Sequence, residues 1–182
     1  MRGNSAVAAI LLTLGLTACV SSEQPFVTAR DAHFAPELVG QWSDSAARER
    51  AVITRAGPAA YAVAYTDERG EARRYVGRLG RLGSYFLLDL EQAEPSPSDS
   101  ASGGGHVPLV LETIAPRLSF ALLDPDSLKA YLQANPRAIA HRKTKDEIVF
   151  TAGSAELSAF LAGYLRRPGV LSERSVWVRR SP

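Results

Sequence analysis

Short apolar segments, each closed by a turn signal, recur from residue 38 to residue 123, and this rhythm limits the chain to a mainly antiparallel β architecture. The segments fall at 38–42, 51–54, 61–66, 73–79, 84–90, 107–114 and 118–123. Gly57-Pro58, Asp67-Glu68-Arg69-Gly70 and Gly80 to Gly83 stand between them. Connections this short join neighbouring antiparallel strands, whereas parallel crossovers need a dozen or more residues. Tyr61-Ala62-Val63-Ala64-Tyr65 alternates large with small side chains, as a strand with one packed face requires.

Two helical stretches follow. Asp124 is placed to cap a helix whose first position is Pro125, where the missing N–H costs nothing. Leu128, Tyr131 and Leu132 then share a face before Asn135-Pro136 ends the segment. A second helix begins near Gly153 or Ser154, carries Leu157, Phe160, Leu161, Tyr164 and Leu165 as an apolar stripe, and stops at Pro168-Gly169. Weaker strands are expected at 139–142 and 147–151, and a closing one at 175–179 puts Trp177 opposite Val176 and Val178. The expected fold class is therefore α+β, mainly antiparallel β. It is a single meander sheet or small barrel of about eight or nine strands with two short helices.

Ahead of this domain, Arg2 precedes an apolar run at 6–16, too short for the roughly 20 residues of a bilayer-spanning helix and of the length seen in secretory signals. Leu16-Thr17-Ala18-Cys19 closes the run and resembles the bacterial lipoprotein lipobox; Cys19 is the sole cysteine of the chain. The resemblance implies cleavage before Cys19, a diacylglycerol on its thiol and an acyl group on its amine, hence a membrane anchor made of lipid. Val20, rather than an aspartate, after the cysteine implies the outer membrane, with the domain facing the periplasm. The expected organisation is a signal peptide at 1–18, a lipidated cysteine and tether at 19–36, and one β-rich domain at 37–182. Within it, residues 92–106, rich in proline, serine and glycine, are expected to form a mobile loop.

The formal charge of +2 argues against a nucleic-acid partner, which would call for a strong basic excess. Arg69, Arg73, Arg74, Arg78 and Arg81 nevertheless fall close together and form a candidate patch for an anionic partner; the alternative is a solvated sheet edge. His33, His106 and His141 lack metal-ligand spacing, so no metal and no cofactor is expected, and most of these histidines should be exposed. No G-x-S-x-G elbow occurs, Asp124 and Asp126 are explained by helix capping, and Gly77, Gly80 and Gly83 fit neither a dinucleotide nor a phosphate loop.

Gly40-Gln41-Trp42 at the start of the meander resembles the Gly-x-Trp opening of the lipocalin and wider calycin group. The resemblance implies a barrel whose closed end is covered by the tryptophan under a late arginine, here Arg179, with Arg174 and Arg180 as competitors. Two expectations follow. The first is a non-catalytic envelope lipoprotein that binds a protein partner or supports envelope assembly. The second is a lipocalin-like carrier of a small apolar ligand, lined by Trp42, Tyr61, Tyr65, Tyr75, Tyr85 and Phe86. A barrel interior filled by Leu157, Phe160 and Leu161 would exclude the carrier.

Overall fold

In the segment from Tyr61 to Thr66, Tyr61, Val63 and Tyr65 are buried while Ala62 and Ala64 are exposed, so the alternation in the sequence is the alternation of two faces. The computed structural model describes residues 20–93, 105–143 and 147–180. In chain order the strands are β1 (Val20–Ser22), β2 (Gly40–Ser43), β3 (Arg50–Arg55), β4 (Tyr61–Thr66), β5 (Ala72–Leu82) and β6 (Tyr85–Gln92). They continue with β7 (His106–Thr113), β8 (Arg117–Ala121), β9 (His141–Lys143), β10 (Ile148–Phe150) and β11 (Ser175–Arg180). The helices are α1 (Pro125–Ala134), between β8 and β9, and α2 (Ser154–Tyr164), between β10 and β11.

Strands β2 to β8 form an antiparallel meander, and β11 inserts between β8 and β2, so that eight strands close on themselves. The seam rests on pairs far apart in sequence: Trp177 faces Leu118 on one side, and Arg179 faces Trp42 on the other. Closure leaves no free edge on these eight strands. Beyond the barrel, β1 pairs in parallel with β10 and touches β7 at Ser22 opposite His106, and β9 completes this outer extension. Among the described residues the architecture is an eight-stranded closed barrel with three extra strands and two helices, consistent with a calycin-like fold.

Two cores result, one on each side of the barrel wall. The inner one gathers Trp42, Ile53, Tyr61, Leu79, Leu88, Leu111 and Trp177 among others. The outer one lies where α1, α2, β1 and β10 cover the wall, and holds Leu128, Phe150, Leu157 and Leu161 against Leu87 and Val110. Leu87 and Leu88 are thus buried on opposite faces, as are Val110 and Leu111. Burial on both sides explains why β6 and β7 read as continuous apolar runs instead of alternating ones. Asp124 caps α1 by accepting from the Ser127 N–H at 2.8 Å, as its position predicts.

Three local expectations need correction. The segment after Val20 does not hang free as a tether: β1 is buried throughout, Phe26 packs edge-on against Phe150, and Val27 lies over Gly80. A Cβ at Gly80 would fall 2.8 Å from Val27, so glycine here permits the close approach of segment and wall. His106 is buried and faces Asp89, because β1 and the following segment cover the outer wall at that point. The strands also reach further than expected, since Gln92 and His106 are the last residue of β6 and the first of β7. The greater part of the expected loop, Cys19 and the signal lie outside the described residues.

Candidate functional site

The barrel interior is lined by inward residues of seven strands: Ala51 and Ile53 from β3, Val63 and Tyr65 from β4, Tyr75 from β5, Leu88 and Leu90 from β6, Leu109 and Leu111 from β7, Leu118 and Phe120 from β8, and Trp177 from β11. Glu49, two residues before Ala51, continues the inward parity of β3 and is the only charged residue in this lining among the described residues. The space left among these side chains is about 50 Å³. One ordered water needs roughly 10–15 Å³ on the same measure, so the cavity admits a small or slender group.

One end is sealed. Trp42 donates its indole N–H to the Leu38 carbonyl at 2.9 Å, and the short 3-10 turn Pro36–Leu38 lies across the opening. Arg179 covers the ring 4.6 Å from its centre and donates to the Val39 carbonyl at 2.6 Å and to the Glu37 carbonyl. Gly40 has φ 152°, and a Cβ there would sit 2.5 Å from the Arg179 Nη1, which gives the glycine of Gly-x-Trp its physical reason. Nearby, Phe34 stacks on Tyr61, whose hydroxyl accepts from the Ala35 N–H at 2.7 Å.

The other end carries the polar groups. The Tyr65 hydroxyl donates to Glu49 Oε1 at 2.7 Å, and the Tyr65 ring stacks on Trp177, which meets Phe120 edge to face. Burial holds the Glu49 carboxyl above the usual glutamate value against the lowering effect of the Tyr65 bond; the nearby Asp44 and Glu68 push it further up, and Arg48 draws it down. Arg48 is itself shared between Asp44 at 3.8 Å and Glu68 at 3.9 Å. Burial and the Glu49 carboxylate together push the Tyr65 phenol well above its normal range.

No protein-family model, curated protein or solved structure matches the chain. Of the aromatic residues expected to line a ligand, Tyr65 and Tyr75 face the cavity. Trp42 and Tyr61 are buried at the sealed end, Phe86 lies at that end beside His33, and Tyr85 packs toward the outer core. Glu49, Phe120 and Trp177 join the lining beyond the expected set, and the two-residue parity of β3, β8 and β11 is the sequence signal that marks them.

The arginine group follows one strand and its preceding turn without forming one surface. Arg74 and Arg78 alternate with the inward positions of Tyr75 and Leu79, whereas Arg73 and Arg81 share the inward parity near opposite barrel ends. Arg73 pairs with Glu71 at 3.7 Å, Arg78 with Glu91 at 3.4 Å, and Arg81 lies over the Phe86 ring. Arg69 sits exposed in the turn that Asp67 caps through the Arg69 N–H. His33, His106 and His141 lie apart, and among the described residues no group of three His, Cys, Asp or Glu side chains is placed to hold a metal. Among those residues, too, no helix is long and apolar enough to cross a membrane.

Proposed function

We propose that the protein is a carrier: its barrel binds a small or slender apolar molecule, and acyl chains on Cys19 hold it at the bacterial envelope, at the outer membrane facing the periplasm. The observation that carries the first half is the position of the helices. Leu157 and Leu161 pack on the outer wall with Phe160 beside them, leaving the interior to an apolar cavity with one polar end. An apolar interior with a few placed polar groups is what small-molecule sites share. About 50 Å³ is far below the roughly 300–1,000 Å³ of drug-sized sites, so the occupant is a short, slender chain.

The anchor rests on the lipobox-like Leu16 to Cys19. Because Val20 already pairs with Ile148, acyl chains at Cys19 would hold the domain against the membrane surface with almost no spacer. Mass spectrometry of the protein taken from its own envelope fraction tests both halves. Under native conditions an added mass that organic solvent releases is expected. Under denaturing conditions a covalent acyl mass should remain on the peptide that begins at Cys19. A bare native mass overturns the carrier, and an unmodified Cys19 overturns the anchor.

A further inference from the structure

From the charges at its open end, we infer that the barrel selects apolar molecules bearing a cationic or hydrogen-bond-donating head, such as a primary alkylamine, and rejects carboxylates; this inference rests on the carrier reading above. Among the described residues, Glu49 is the only charged one lining the cavity. Tyr65 gives its hydroxyl proton to Glu49 Oε1, so a ligand head meets the lone pairs of the second carboxylate oxygen. An ammonium supplies three donors and the complementary charge, whereas a carboxylate head would meet acceptors and like charge.

The surroundings reinforce that sign. Asp44 and Glu68 stand close enough to act on Glu49, Arg48 is divided between those two carboxylates, and Arg180 is held by the Ser43 hydroxyl and the Asp44 carbonyl. Arg73, opposite Tyr65 across β4 and β5, is drawn to Glu71. The desolvated position that raises the Glu49 carboxyl is also one where a matched ammonium restores the lost solvation. Opposite the head, Leu88, Leu111 and Leu118 offer only hydrocarbon, which suits a short alkyl chain.

Calorimetric titration of the purified full chain with hexylamine, hexanol and hexanoate at neutral pH tests the inference. The amine should bind about tenfold more tightly than the alcohol, with the carboxylate weakest of the three. In Glu49→Gln the preference for the amine over hexanol should disappear, and an unchanged far-UV circular dichroism spectrum verifies the fold. Hexanol binding with no preference for the amine, hexanoate binding as well as hexylamine, or an amine affinity that Glu49→Gln does not move would overturn the head-group selection and leave the carrier standing. Failure of all three to bind would overturn the carrier along with it. Should Glu49→Gln not fold, the ranking of the three ligands on the unaltered chain decides.

Discussion

Arg179 lies 4.6 Å over the ring of Trp42 and donates to the Val39 and Glu37 carbonyls, joining the last strand of the barrel to the turn that seals it. One side chain thus supplies a cation–π contact and ends two otherwise exposed carbonyls. Arg179→Ala should lower stability by about 1–3 kcal/mol in urea unfolding. Arg179→Lys should recover little, because a single ammonium cannot reach both carbonyls and cover the ring as a planar fork does. Gly40→Ala drives a Cβ into the same guanidinium and sets a side chain on a backbone at φ 152°, so it should cost at least as much. The double variant should then lose clearly less than the two single losses combined; full additivity would show that glycine serves something other than Arg179.

Glu49 gives a pH dependence of definite sign. Its folded-state pKa is raised above 4.5, chiefly by burial. A carboxyl shifted upward binds protons more tightly when folded, so its contribution to stability is complete below the ordinary value and is lost as pH rises through the raised one. Glu49→Gln keeps an oxygen to accept from Tyr65 and removes this loss. Relative to the unaltered protein, the variant should gain stability as pH rises from below 4.5 to neutrality. Urea midpoints across that range measure it, and a constant difference would show that Glu49 feels no net burial.

Asp89 is 1 % exposed, accepts from the Val27 N–H at 3.1 Å and faces His106 Nδ1 at 3.1 Å. It joins the barrel wall to the segment that runs across it. Asp89→Ala would leave two buried donors without their acceptor, at a cost of about 2–4 kcal/mol. The loss should appear first as local opening: protease cleavage and amide exchange should rise in residues 20–31 before they rise in the barrel strands. Uniform loosening of the whole molecule would count against this local role.

How far the sequence reveals this arrangement depends on the range of the interaction. Alternation in β4, the Asp124 cap and the stripe of α2 are written in neighbouring residues and match the structure. Closure is different, because it depends on β6 meeting β7 and β11 entering between β8 and β2, pairings with no local signature. Only the Gly-x-Trp resemblance pointed to it, through Arg179. The segment 20–36 misleads because its serines suggest solvent; yet Ser22 is fully buried with its hydroxyl accepting from the Gln24 N–H and placed to donate to Phe150. Composition registers a polar group but not whether it finds a partner. Glu49 is obscured for a related reason: a glutamate among Ala47, Arg48 and Arg50 reads as surface, while its step of two from Ala51 turns it inward.

Tyr164 marks a place where the outer core is not fully satisfied. Its hydroxyl is buried without a hydrogen-bond partner, although its ring stacks on Phe160 and meets Tyr131 edge to face. Burial, with a smaller contribution from the Asp124 charge, pushes the phenol up to about 12. Tyr164→Phe keeps both ring contacts and removes the unpaired oxygen, so stability at neutral pH should rise by about 1 kcal/mol. The alkaline limb separates the explanations. A tyrosine with a raised folded pKa contributes stability that is complete below its ordinary value of 10 and is lost as pH climbs toward 12. The phenylalanine variant should escape that part of the alkaline loss, so its advantage should widen over the same interval. Urea unfolding at neutral and alkaline pH checks both, and a less stable variant would mean that the hydroxyl is held by a partner after all.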